Sequence, residues 1–133
     1  MGAPARADRC PLNVAVYFPS GVRVLAEFAY TWAVIERGLM YRWSVPDGTG
    51  MLFDMGHLAV HRFWMKDTLV PLDMVFIAPN WVVVGIVPNT VPHDVTLRGV
   101  DALSRYVLEV PGGWCARNGV DRGQIVTVAL LPS

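Results

Sequence analysis

Leu12-Asn13-Val14-Ala15-Val16-Tyr17-Phe18 carries apolar side chains at every second position, and after Ser20-Gly21 a second apolar run fills residues 22–28. A period of two places one set of side chains on one face of a strand, and two such runs around a small turn pair read as a β-hairpin. Downstream, Thr31 is positioned to cap a helix in which Trp32, Ile35 and Glu36 follow at helical spacing, and Gly38 supplies the left-handed residue that ends it. That helix spans barely two turns. Pro46, Asp47, Gly48 and Gly50 mark a turn ahead of a short apolar strand at 51–55. Further strands are predicted at 62–66, 72–78, 81–87, 105–110 and 124–131, with Pro79-Asn80 as a tight turn and 88–104 as the longest loop.

Short strands recurring every ~8–12 residues, with one token helix, predict a mainly β fold and not a βαβ unit. The expected architecture is a small antiparallel β-barrel or jelly-roll-like sandwich with one or two short helices. Alternation assigns Leu12, Val14, Val16, Leu52, Phe53, Met74, Phe76, Val107 and Leu108 to its interior.

At 133 residues the chain fits one domain, expected over 12–133 as a β-barrel, behind a flexible N-terminal tail over 1–11. It is 53% hydrophobic and 17% charged, yet no apolar run approaches the ~20 residues of a membrane span, so a soluble chain is expected. Eleven basic residues balance eleven acidic ones and are scattered, without the basic stripe that neutralises phosphates, which argues against a nucleic-acid partner. The residues before Cys10 lack the apolar stretch of a secretory signal, so the chain reads as cytoplasmic; a mature exported form would read the same. Cys10 and Cys115 have no neighbouring Cys or His for a zinc site, and a disulfide between them would need an oxidising compartment.

A set of spaced blocks then narrows the reading. Glu36-Arg37-Gly38-Leu39-Met40 with Arg42, Gly50-Met51-Leu52-Phe53, Phe63-Trp64-Met65-Lys66-Asp67-Thr68, Pro71-Leu72-Asp73-Met74 with Phe76-Ile77, and Tyr106-Val107-Leu108-Glu109 follow in order over most of the chain. In this order and spacing the sequence resembles the bacterial and archaeal domain of unknown function 192 family. The resemblance implies a small β-barrel or jelly-roll-like sandwich with short helical pieces, and it implies no activity. Many members of that family carry an N-terminal signal peptide. Two departures stand out: the family usually has asparagine at the position of Asp67, and Gly-Asp where Gly123-Gln124 stands.

The candidate site comes from polar residues set among large apolar ones. Asp73 and Glu109 fall in strands whose faces are both apolar, where a carboxylate is costly unless paired or placed at an opening. Arg42 and Lys66 are the nearest cationic blocks. Ten of the eleven basic residues are arginine, so the single lysine, Lys66, marks a place for a compact ammonium. Alternation over 63–66 puts Trp64 and Lys66 on one face, and the short connection to Asp73 predicts Lys66 within reach of Asp73 or Glu109. One reading is a polar ligand pocket at one rim, lined by Arg42, Trp64, Lys66, Asp73 and Glu109; the other is a set of ion pairs that fixes strand register.

Other chemistries find less footing. His57 and His61 with Met51, Met55 and Met65 supply soft-metal ligand types, but Gly56 interrupts a helix there and methionines mostly fill cores, so no metal or cofactor is assigned. Cys115, Ser44 and Ser104 lack a nucleophile's sequence context, and Gly48-Thr49-Gly50 is too short to cradle a phosphate. The expected function is a non-enzymatic binding or accessory module for a small polar ligand or peptide. The alternative is a small hydrolase or lyase with Asp73 or Glu109 as base and Lys66 stabilising developing negative charge. The oligomeric state stays open.

Overall fold

The first two apolar runs pair as predicted: β1 (Leu12–Tyr17) and β2 (Arg23–Ala29) lie antiparallel in the computed structural model, which describes residues 11–132. Residues 1–10 of the tail expected over 1–11, Cys10 among them, lie outside the described residues. The chain continues through α1 (Trp32–Arg37), β3 (Thr49–Ala59), β4 (Leu72–Ile77), β5 (Val83–Val87), β6 (Ser104–Pro111), α2 (Trp114–Arg117) and β7 (Thr127–Leu130). These strands form one sheet in the order β5-β4-β6-β3-β2-β1-β7. Of its six strand pairings only β2 with β3 is parallel, and the crossover between those two carries α1.

The fold is mainly β, as expected: one seven-stranded sheet with two short helices. Its ladder is not closed, because the last strand divides its pairing. β7 runs along β1, while the residues just before it meet the chain entering β5 through a single bridge, Val82 to Ile125. Hydrogen bonds from Val83 N–H to Gln124 O (2.8 Å) and from Val126 N–H to Trp81 O (3.0 Å) accompany that bridge.

Both faces of the sheet are covered. Val14, Val16, Leu52, Val75, Leu108 and Val110 build one apolar cluster, and Met51, Phe53, Met65, Met74, Phe76 and Val107 build the other. Eight of the nine predicted interior residues are buried, and Leu12 is the exception at 43% exposed. A bulge between Leu12 and Val14 breaks the register, with Asn13 Oδ1 accepting Phe28 N–H, so Leu12 leaves the inward series. The predicted strand at 62–66 is also corrected. Its backbone turns away from the sheet to meet the long loop, through one bridge between Phe63 and Arg98 and a bond from Met65 N–H to Asp94 O. Asp67, in the left-handed region at φ 53°, ends any strand there. The helix forms where expected, although Thr31 caps only through its backbone oxygen, which accepts Ile35 N–H.

Two local features fix the centre of the sheet. β6 lies between β3 and β4, and Glu109 has Met51 and Met74 as its Cα partners on either side. Gly50 permits that approach, since a Cβ there would stand 2.1 Å from Glu109 O. Asp73, fully buried, then ties β4 to two loops. Its Oδ1 accepts the backbone N–H groups of Asn89 and Gly113, and its Oδ2 accepts that of Cys115, each at 2.9 Å. The carboxylate thereby caps α2 from a distant strand.

Replacing Asp73 with alanine strands three backbone donors, one buried at Cys115 and two part-buried at Asn89 and Gly113, and a buried donor left unsatisfied costs about 1–3 kcal/mol. Asp73→Ala is expected to lower unfolding free energy by roughly 3–5 kcal/mol in urea titrations. A midpoint within experimental error of the parent would contradict this anchoring role.

Candidate functional site

Between α1, the 61–68 segment and the methionine-rich face of the sheet lies a cavity of about 280 Å³. Helical spacing turns Ile35 of α1 toward it, β3 contributes Phe53 and Met55, and the bridge at Phe63 holds the rings of Phe63 and Phe53 5.5 Å apart. Trp32, Trp64 and Leu97 stand at its exposed mouth. The lining is predominantly apolar, and Glu109 from the central strand β6 reaches it from within.

Glu109 is the electrostatic anomaly of the molecule. It is only 5% exposed, its carboxyl has no hydrogen-bond or ion-pair partner among the described residues, and burial alone pushes it up to about 8. The cause is desolvation: the neighbours across both ladders are methionines, which donate nothing. At neutral pH the empty cavity therefore keeps Glu109 mostly protonated, able either to donate one hydrogen bond or to ionise opposite a cation. The other charged groups on the lining, Glu36, Arg37 and Arg62, belong to the solvent-exposed surface, and Arg62 is held by Asp101 at 2.9 Å.

Of the five residues singled out in the sequence, the structure brings together two, Trp64 and Glu109. Lys66 was expected beside a carboxylate and is not. Its ammonium lies on the surface 5.3 Å from the Trp64 ring centroid and makes no ion pair with Asp73 or Glu109, because the chain turns at Asp67 before β4 begins. Asp73 spends both oxygens on backbone amides in the core. Arg42 forms a two-pronged ion pair with Glu27 in a separate hollow of about 170 Å³. Glu27 was missed, although a lone carboxylate inside the apolar run 22–28 was the signal for it.

The remaining polar candidates have local roles. His61 Nε2 bonds His57 O and His57 Nδ1 bonds Met55 O, each at 3.0 Å, so both rings are engaged by backbone carbonyls. No group of three or more His, Cys, Asp or Glu side chains converges among the described residues. Burial, then the charge of Asp73, raises the Cys115 thiol far above its ordinary range, away from a nucleophilic thiolate. At the two family departures, Asp67 accepts the Tyr41 hydroxyl at 2.8 Å, and Gln124 closes its own turn by donating to Gly119 O at 2.9 Å. No described helix is long and apolar enough to cross a membrane.

Comparison with known proteins extends these observations. A crystal structure from Sinorhizobium meliloti 1021, described as a candidate transcription regulator, is similar at 36% identity and a TM-score of 0.81, over 87% of this chain and 92% of that one. A protein of unknown function from Novosphingobium aromaticivorans DSM 12444 is similar at 35% identity and a TM-score of 0.80, over 86% of this chain and 83% of that one. No curated protein matches. The DUF192 family model, described as "Uncharacterized ACR", matches residues 16–128, and with that span the chain belongs to the DUF192 family.

Proposed function

We propose that this chain is a small-molecule binding module whose ligand enters between α1 and the 61–68 segment and reaches Glu109. The observation that carries the reading is a buried carboxyl, unpartnered among the described residues, on a predominantly apolar cavity. Burying such a group without a partner costs the fold about 1–3 kcal/mol. Its neighbours Met51 and Met74 give it no structural task. A group retained at that cost is better explained by what it binds than by what it holds together. Trp64 at the mouth supplies a broad apolar surface for the same ligand. Binding is favoured over acid–base catalysis because, among the described residues, the other titratable groups on the lining lie at the exposed surface and not beside Glu109, and the lysine that could have served lies on the outer surface.

Glu109→Met supplies a side chain like its two cross-strand neighbours and removes the unpaired carboxyl. It is expected to raise unfolding free energy by about 1–3 kcal/mol while abolishing the thermal shifts that small-molecule fragments give the parent protein. Loss of stability, or a parent that no fragment shifts, would count against the proposal. The pH dependence has a definite sign. An unfolded Glu109 loses its proton near 4.5 and the folded one near 8, so its contribution to stability is complete below about 4.5 and is lost as pH rises to about 8. Urea titrations between these values should show the parent declining relative to Glu109→Met.

A further inference from the structure

Resting on the binding reading above, we infer that the ligand class is a small organic cation, an aromatic or aliphatic ammonium whose N–H groups pair with the Glu109 carboxylate inside the cavity. Three observations converge on this class. The carboxyl has no hydrogen-bond partner among the described residues and faces the cavity, where a ligand can supply one. The surrounding surface is aromatic, with Phe53 and Phe63 behind and Trp32 and Trp64 at the mouth, and aromatic faces attract cations. One of these rings already does so, since the Lys66 ammonium lies 5.3 Å from the centroid of Trp64.

The remaining charged groups are mixed in sign and lie at the surface, outside the apolar interior of the cavity. The groups facing the cavity from the elements packed around it are Glu36 and Arg37 of α1 and Arg62 after β3, all exposed at the surface, where water screens them. β3 and β4 bring only Met51 and Met74 alongside Glu109. An anion beside Glu109 would hold the carboxyl in its protonated form, whereas a cation favours the carboxylate and gains an ion pair. A neutral molecule would leave the carboxyl without the charge-assisted bonds that a cation provides. Binding carries a proton balance: in the empty cavity Glu109 holds its proton at neutral pH, and on pairing with an ammonium it releases that proton to solvent and becomes the carboxylate.

Three probes of one shape test the class on the full chain: benzylamine as cation, benzyl alcohol as neutral isostere and benzoate as anion, titrated calorimetrically at pH 8 and pH 6. Benzylamine is expected to bind at least about tenfold more tightly than benzyl alcohol at pH 8, in line with the strength of a charge-assisted hydrogen bond. The preference should shrink at pH 6, and in buffers of different ionisation enthalpy benzylamine binding should release a proton. Glu109→Gln is expected to abolish the preference while still binding benzyl alcohol. If benzyl alcohol or benzoate binds as well as benzylamine, or if Glu109→Gln keeps the preference, the cation assignment fails and the binding reading survives. If none of the three binds, both fail.

Discussion

The insertion of β6 between β3 and β4 is the constraint on which the rest of the molecule depends. It brings three strands into register through Glu109, which stands across from Met51 on one side and Met74 on the other. Backbone contact at this point is so close that position 50 cannot carry a side chain without displacing the carbonyl of residue 109. Because the register is fixed on both flanks, the Glu109 side chain cannot swing away to solvent by a slip of one residue without turning the whole apolar set of β6 inside out. The carboxyl is held in the cavity by the same pairing that builds the core.

Three acidic residues in apolar strands show how differently the fold treats buried charge. Glu27 is matched by Arg42 through two hydrogen-bonding contacts. Asp73 is surrounded by backbone amides and organises the turn that starts α2. Glu109 has neither kind of partner among the described residues. The first two follow the rule that buried charges are neutralised or solvated by fixed dipoles, and the third departs from it at the one place where an apolar cavity opens onto the carboxyl. Departures of this kind are where function is sought, because the fold tolerates the cost without any return in stability.

Much of the architecture was legible in the sequence. The apolar runs at β1, 72–77 and 105–110 specified strands, although burial there does not alternate: β4 is buried at every residue and β1 at 14–16, because both faces of the sheet are covered. Where reading failed, the cause was nonlocal. The 62–66 run has strand-like composition, yet its hydrogen bonds go to the 94–98 loop and only Met65 becomes core. Open or closed pairing of the sheet depends on how the residues before β7 share themselves between two edges, which no local pattern encodes. For the site, the cost of a carboxylate in an apolar strand correctly flagged Asp73 and Glu109, but partner choice did not follow from proximity in sequence. Arg42 found Glu27, and Lys66 found an indole ring. Ile35, Phe53, Phe63 and Leu97 line the cavity and carry no individual signal, because apolar residues of pocket and core look alike in a sequence.

The central claim is that Glu109 is a buried, unpaired carboxyl facing a cavity, and the most direct measurement is its own titration. Carbon-13 detection of the glutamate side-chain carboxyls, with Glu109 assigned by comparison with Glu109→Gln, should show one resonance titrating near 8 in the ligand-free protein. A Glu109 carboxyl that titrates near the ordinary value of 4.5 would mean that it is solvated or paired in solution, and would contradict the claim.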